Sequence, residues 1–167
     1  YTHMMMYRHF DNFFGHAGTV MHLPGIPAWF IEGLAELISD SVNTDVVSGI
    51  ERYHALSGDW PAYDRIHNLY GGKGNFGTRG YAVSGAFVAW MLSYKPNVSL
   101  PDLLSDMKSY TMPWFFFVSL NPFIEFFPAN QAFKDHFGLS GRELYELYKK
   151  EALKYWKQRQ KNTFMAA

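Results

Sequence analysis

The stretch PAWFIEGLAELISD, Pro27 to Asp40, decides how this chain is read. Pro27 occupies the favoured first-turn position of a helix, and the apolar spacing behind it carries that helix to about Ser39. On a wheel of roughly 3.6 residues per turn, Phe30, Ile31, Leu34, Leu37 and Ile38 gather on one side, with Glu32, Glu36 and Ser39 opposite. Periodicity alone makes the two glutamates a solvated face, which is where helices usually carry Glu. Two residues resist that reading. Trp29 falls on the supposedly wet side, and Gly33 sits mid-helix at a cost of about 1 kcal/mol relative to Ala, as expected if another backbone comes close.

Working outward, the same periodicity recurs without any alternating strand pattern, so the chain reads as mainly α, either all-α or the helical part of an α+β domain. Tyr1 to about Phe10 has helical composition without an N-cap, and Asp11 to Gly25 is loop-like. A helix is expected over Thr44 to Leu56, with Thr44 as N-cap and Gly49 as a weak point. Gly58 to Gly80 reads as a Gly-rich loop. RGYAVSGAFVAWMLSY (Arg79 to Tyr94) is a helix whose Ala82, Gly85 or Ala86, and Ala89 would let another helix approach closely, and Pro96 ends it. Leu100 to Tyr110 is a short helix. Ala129 to Phe137 and Ser140 to Gln158 are helices joined at Gly138, the second opening with a capping box of Ser140 and Glu143. Its apolar stripe is Leu144, Tyr148, Ala152 and Tyr155, with Glu146 and Lys150 paired outside.

Length and composition bound the function. The 167 residues suit one domain, residues 1–167. With 15 basic and 15 acidic side chains the formal charge is zero, and the sequence presents no evident basic stripe, which argues against nucleic acid as a partner. Cysteine is absent, so disulfides and thiolate metal sites are excluded and His and carboxylates are the remaining ligand types. Met112 to Pro128 (MPWFFFVSLNPFIEFFP) is the longest hydrophobic region. Asn121, Pro122 and Glu125 interrupt it short of the roughly 20 apolar residues that span a bilayer, so no transmembrane segment is expected. Its aromatics exceed what one helix face can bury, which marks a buried or partner-facing surface.

The first three residues, YTH, bear on the glutamates. Preceded by His-Glu they would complete His-Glu-Tyr-Thr-His, the zinc motif whose two His lie at i and i+4 on one helical face. Followed by LPGIPAWFIEGLAEL, the arrangement resembles the gluzincin (peptidase MA-like) metallopeptidases, where the third zinc ligand is the Glu of a W-x-x-E-G-x-A segment. Trp29, Glu32, Gly33 and Ala35 match that segment. The resemblance implies Glu32 and His3 as zinc ligands, a peptide or protein substrate, and the helical C-terminal part of a zincin-like catalytic domain. Residues 1–10 would then be a zinc-helix remnant, 27–40 the Glu-ligand helix and 44–160 a helical lobe.

The looser segments from Asp59 to Leu92 and from Ala129 to Gln160 are similar to a subgroup in which a β-propeller often follows and whose members are typically envelope-associated or secreted in bacteria. Gluzincins commonly use a Tyr hydroxyl on the tetrahedral oxyanion, which makes Tyr81 the catalytic candidate. Glu36 is either a solvated neighbour or a residue that orients His3. The chain departs from the pattern at its start, where the first His and the general-base Glu do not appear. A catalytic zinc needs three protein ligands, and the Glu takes the proton of its water. These residues alone are therefore expected to be an inactive fragment or a pseudo-enzyme. The other reading, from a different class, is a non-catalytic helical module docking a partner through Met112 to Phe127.

GKGNFG (Gly72 to Gly77) satisfies G-x-G-x-x-G but lacks the preceding strand of a dinucleotide site, and reads as a loop. His9, His16 and His22 are spaced like no standard metal site.

Overall fold

The computed structural model describes residues 26–38, 44–67, 77–111 and 128–165. Within them the chain is mainly α: helices α1 (Ala28–Ile38), α2 (Thr44–Ser57), α3 (Tyr63–His67), α4 (Gly77–Tyr94), α5 (Leu100–Thr111), α6 (Pro128–Phe137) and α7 (Gly141–Met165). No strand occurs among the described residues. The remnant helix over 1–10, with His3, and the aromatic run from Met112 to Phe127 lie outside the described residues. No described helix is long and apolar enough to cross a membrane.

Helix ends follow their local chemistry. Gly58 and Gly138 adopt φ of 74° and 79°, the left-handed conformation that closes a helix cheaply only in glycine, and each amide returns to a carbonyl of the last turn, His54 and Lys134. The capping box forms as expected: the Ser140 amide donates to Glu143 Oε2 at 2.8 Å, and the Glu143 amide donates to Ser140 Oγ at 3.3 Å. The Ser140 amide, and then the Ser140 hydroxyl that also donates to Glu143 Oε2 at 2.7 Å, hold the Glu143 carboxyl below its usual range.

The core is aromatic and joins α1, α4, α6 and α7. Trp29 and Phe30 meet Phe133 of α6, Trp29 also meets Phe87 of α4, and Phe87 packs against Tyr145 and Tyr148 of α7. All of these side chains are essentially sealed from solvent. Such rings each remove a large apolar area from water, and their tilted and edge-on contacts add to that burial. Helix α5 packs chiefly on α6. His136 Nε2 lies 2.8 Å from Asp106 Oδ2, and the Tyr110 hydroxyl donates to Asp135 Oδ2 at 2.8 Å.

The structure corrects several expectations. Part of the expected loop from Gly58 to Gly80 is helical. Helix α3 forms because Tyr63 and Ile66, three apart, both reach the core, and α4 begins at Gly77. Leu37 and Ile38 are 41% and 51% exposed, since the last turn of α1 runs past the rings that cover Trp29 and Phe30. In α7, Tyr145 joins Leu144, Tyr148 and Ala152 on the buried side, whereas Tyr155 turns outward and accepts a 2.6 Å hydrogen bond from Arg159 Nη1. Glu146 pairs with Lys149 at 2.7 Å instead of Lys150. A run of lysines does share one side of α7: Lys150, Lys154, Lys157 and Lys161 line a shallow depression there.

Burial sets the alkaline limit of this core. The Tyr145 hydroxyl donates to the Pro61 carbonyl at 2.9 Å and that of Tyr148 to Glu51 Oε1 at 2.7 Å. Burial first, then Glu146 for Tyr145 and Glu51 for Tyr148, pushes both phenols well above the ordinary range. The folded chain thus holds these protons more tightly than the unfolded chain. The stability they contribute is complete below the ordinary tyrosine value of about 10 and is lost as pH rises above it. Urea midpoints are expected to be level between about pH 8 and 9 and to fall from about pH 10 upward, less steeply in Tyr148→Phe. An equal alkaline slope in that variant would contradict the assignment.

Candidate functional site

The site is built where α1 crosses α4. Gly33 faces the backbone of Ser84 so closely that a β-carbon placed on it would lie 2.4 Å from the Ser84 carbonyl oxygen and 2.7 Å from Val88 Cγ2. On the other helix, Gly85 faces Glu36, and a β-carbon there would sit 3.2 Å from Glu36 Cβ. Each helix therefore offers a glycine to the other. The mid-helix Gly33 and the small-residue run of α4, both read from the sequence as places of close approach, meet each other.

This crossing fixes the carboxylates. Trp29 is fully buried, stacked at 5.3 Å on Phe133 and with its indole N–H donating to the Tyr63 hydroxyl at 3.3 Å. It holds the side of α1 that carries the glutamates against the body of the protein, and Glu32 and Glu36 are half-buried. The solvated-face reading fails on Trp29.

Tyr81, in the second turn of α4, stands within electrostatic reach of both. Its phenol is held above the ordinary range, first by the negative charge of Glu32, then by partial burial, then by Glu36. The cause is direct: ionising the phenol would put a third negative charge among two carboxylates. Tyr81 therefore stays protonated through the neutral and mildly alkaline range and keeps an O–H to donate. No family model, curated protein or solved structure matches this chain.

Of the residues singled out in the sequence, Glu32 and Tyr81 are thus brought together, with Glu36 beside them, and His3 lies outside the described residues. Among the described residues no three His, Cys, Asp or Glu side chains converge as a metal site. What the crossing supplies is an oxygen donor suited to zinc, Glu32, next to a neutral phenol, so the chemistry of the residues present fits one side of such a centre. Ser84, fully buried at the crossing, has no hydrogen-bond partner for its hydroxyl among the described residues, and nothing in the sequence signalled it. His54 is also buried. Its Nδ1 donates to the Asp59 carbonyl and its ring stacks at 5.6 Å on Trp60, so it serves the α2 terminus, and its Nε2 has no partner among the described residues.

Proposed function

We propose that these residues are the helical part of a gluzincin-type zinc metallopeptidase domain that hydrolyses peptide bonds, with Glu32 and His3 as zinc ligands and Tyr81 as the oxyanion donor. The observation that carries this reading is that Tyr81 stands within electrostatic reach of Glu32 where α1 and α4 approach closely at Gly33 and Gly85, because the resemblance selected both residues independently of their placement. The His-Glu pair required ahead of Tyr1 is part of the proposal. That pair would supply the remaining His ligand and the general base.

Zinc, when bound, polarises a carbonyl and acidifies water. The chain's own contribution is positional. Glu32 presents a carboxylate from a helix locked by Trp29. Tyr81, kept protonated by the same carboxylates, aims an O–H at the oxygen that gains charge as the peptide carbon becomes tetrahedral. A donor of this kind acts on the transition state more than on the bound substrate, so its loss falls on kcat.

In the chain extended by His-Glu ahead of Tyr1, Tyr81→Phe is expected to lower kcat on a peptide substrate about 100-fold with KM and zinc content little changed. No hydrolysis by the extended chain, or full activity of Tyr81→Phe, would overturn the assignment.

A further inference from the structure

The outer side of α7 carries a charge pattern that the balanced total conceals. Lys150, Lys154, Lys157 and Lys161 recur at i, i+4, i+7 and i+11, so they stand in one row about 16 Å long. Met165, four residues further on and 80% exposed, continues it. All four lysines are exposed, and the shallow depression they line is made, among the described residues, by α7 alone.

None of the four forms an ion pair among the described residues. Glu146, one turn before Lys150, is held by Lys149 at 2.7 Å, and Glu143 by the Ser140 amide. Glu151 accepts from the Trp90 indole N–H at 2.8 Å on another side of the helix. From Ala152 to Met165 there is no Asp or Glu. Like charges at this spacing destabilise a helix, and consecutive lysines of the row stand within one Debye length of each other. Their repulsion is relieved when anions cover them. With 15 basic and 15 acidic side chains in all, Lys154, Lys157, Arg159 and Lys161 leave residues 1–151 with 11 basic against 15 acidic. A chain polarised in this way turns the end of α7 toward a negative surface.

The make-up of the row restricts what that surface is. Its charges are all lysine, a hydrated point charge on a flexible stem, where bidentate recognition of a fixed phosphate would use arginine. Protein interfaces are depleted in lysine and have an apolar centre, and Leu153 is the one apolar residue lining this depression among the described residues. Nucleic-acid surfaces add arginines and stacking rings to their phosphate contacts, and no described ring lines it. A plane of mobile anionic headgroups asks only for cations in one row on long stems. We propose that the outer side of α7 from Lys150 to Met165 docks on an anionic lipid bilayer, the four lysines meeting the headgroups and Met165 entering the boundary beneath them.

This proposal rests on neither zinc nor Glu32. The test is co-sedimentation of the 167-residue chain with vesicles of phosphatidylcholine alone, and of phosphatidylcholine with about a third replaced by phosphatidylserine. The anionic vesicles are expected to bind at least about tenfold more tightly, and to lose most of that advantage as salt rises from about 0.05 to about 0.5 M. Each lysine near such a surface is worth about fivefold, so Lys154→Gln with Lys157→Gln should weaken binding about 25-fold. Gln keeps the helix propensity of Lys, and the fold should be untouched. Arg65→Gln with Lys134→Gln removes the same charge from exposed positions on α3 and α6, and should leave binding nearly unchanged. Equal binding to both vesicles, or equal loss in the two double variants, overturns the proposal. So does a mixed-sequence DNA duplex bound more tightly than the anionic vesicles at the same salt.

Discussion

Trp29→Ala is expected to lower the stability of the chain by about 4 kcal/mol, the scale on which deletion of a fully buried Trp acts. Trp29 is 0% exposed and lies between Phe87 at 4.4 Å and Phe133 at 5.3 Å, with Phe30 edge-on at 5.8 Å. Rings from three helices meet on it, so their collapse into the vacated space is limited and most of the cavity persists. A domain has only about 5–15 kcal/mol in hand, so the variant should sit near its unfolding transition at ordinary temperature. Trp29→Phe keeps most of the packing and loses the N–H bond to Tyr63, and is expected to cost about 1–2 kcal/mol. Chemical denaturation of both variants checks this. A loss under about 1 kcal/mol for Trp29→Ala would mean that the ring is not the joint of α1, α4 and α6.

Gly33→Leu is expected to cost a similar amount, about 4 kcal/mol, by the opposite route. The first atom of any side chain at Gly33 collides with the Ser84 carbonyl, a backbone group that moves only if α4 moves with it. The two helices must separate, and Trp29, Phe30 and Phe87 lose contact together. The control is Gly49→Ala in α2. No described residue lies within 4 Å of a β-carbon there, so the substitution should stabilise the chain by about 0.5–1 kcal/mol through helix propensity alone. If Gly33→Ala also proved stabilising, the close crossing would be wrong. Because the crossing places Glu32 beside Tyr81, Gly33→Leu should also release the hold of Glu32 on the Tyr81 phenol, readable as a downward move of its NMR titration toward the ordinary value.

Much of this was legible in the sequence. Gly33 announced a close neighbour, the small residues of α4 announced a helix able to come close, and the misplaced Trp29 showed that the Glu side of α1 was not simply wet. The helices of the core followed from periodicity, because each has one side that must be covered. What periodicity does not carry is which rings do the covering. Leu37 and Ile38 sit correctly on the apolar side of α1 and are still exposed, because exposure at a helix end depends on how far the partner helices reach. Tyr155 follows the stripe of α7 but turns outward while its neighbour Trp156 reaches Glu51 of α2, and Tyr145, which closes against Phe87, was missed. Helix α3 hid in a Gly-rich stretch because five residues are too few to show a period. At the site, Glu32 and Tyr81 were selected by resemblance. Their proximity is a tertiary fact, as is the bond that joins Glu51 to Trp156 across 105 residues of chain.

The most direct test of the central claim is a calorimetric zinc titration of the chain carrying His-Glu ahead of Tyr1, run beside the chain without it. One zinc per chain at submicromolar affinity is expected for the extended chain, weak binding at most for the other, and loss of tight binding in both Glu32→Gln and His3→Ala, since a structural or catalytic zinc needs at least three protein ligands. Tight binding that survives Glu32→Gln would contradict the account, and so would an extended, folded chain that takes up no zinc at all.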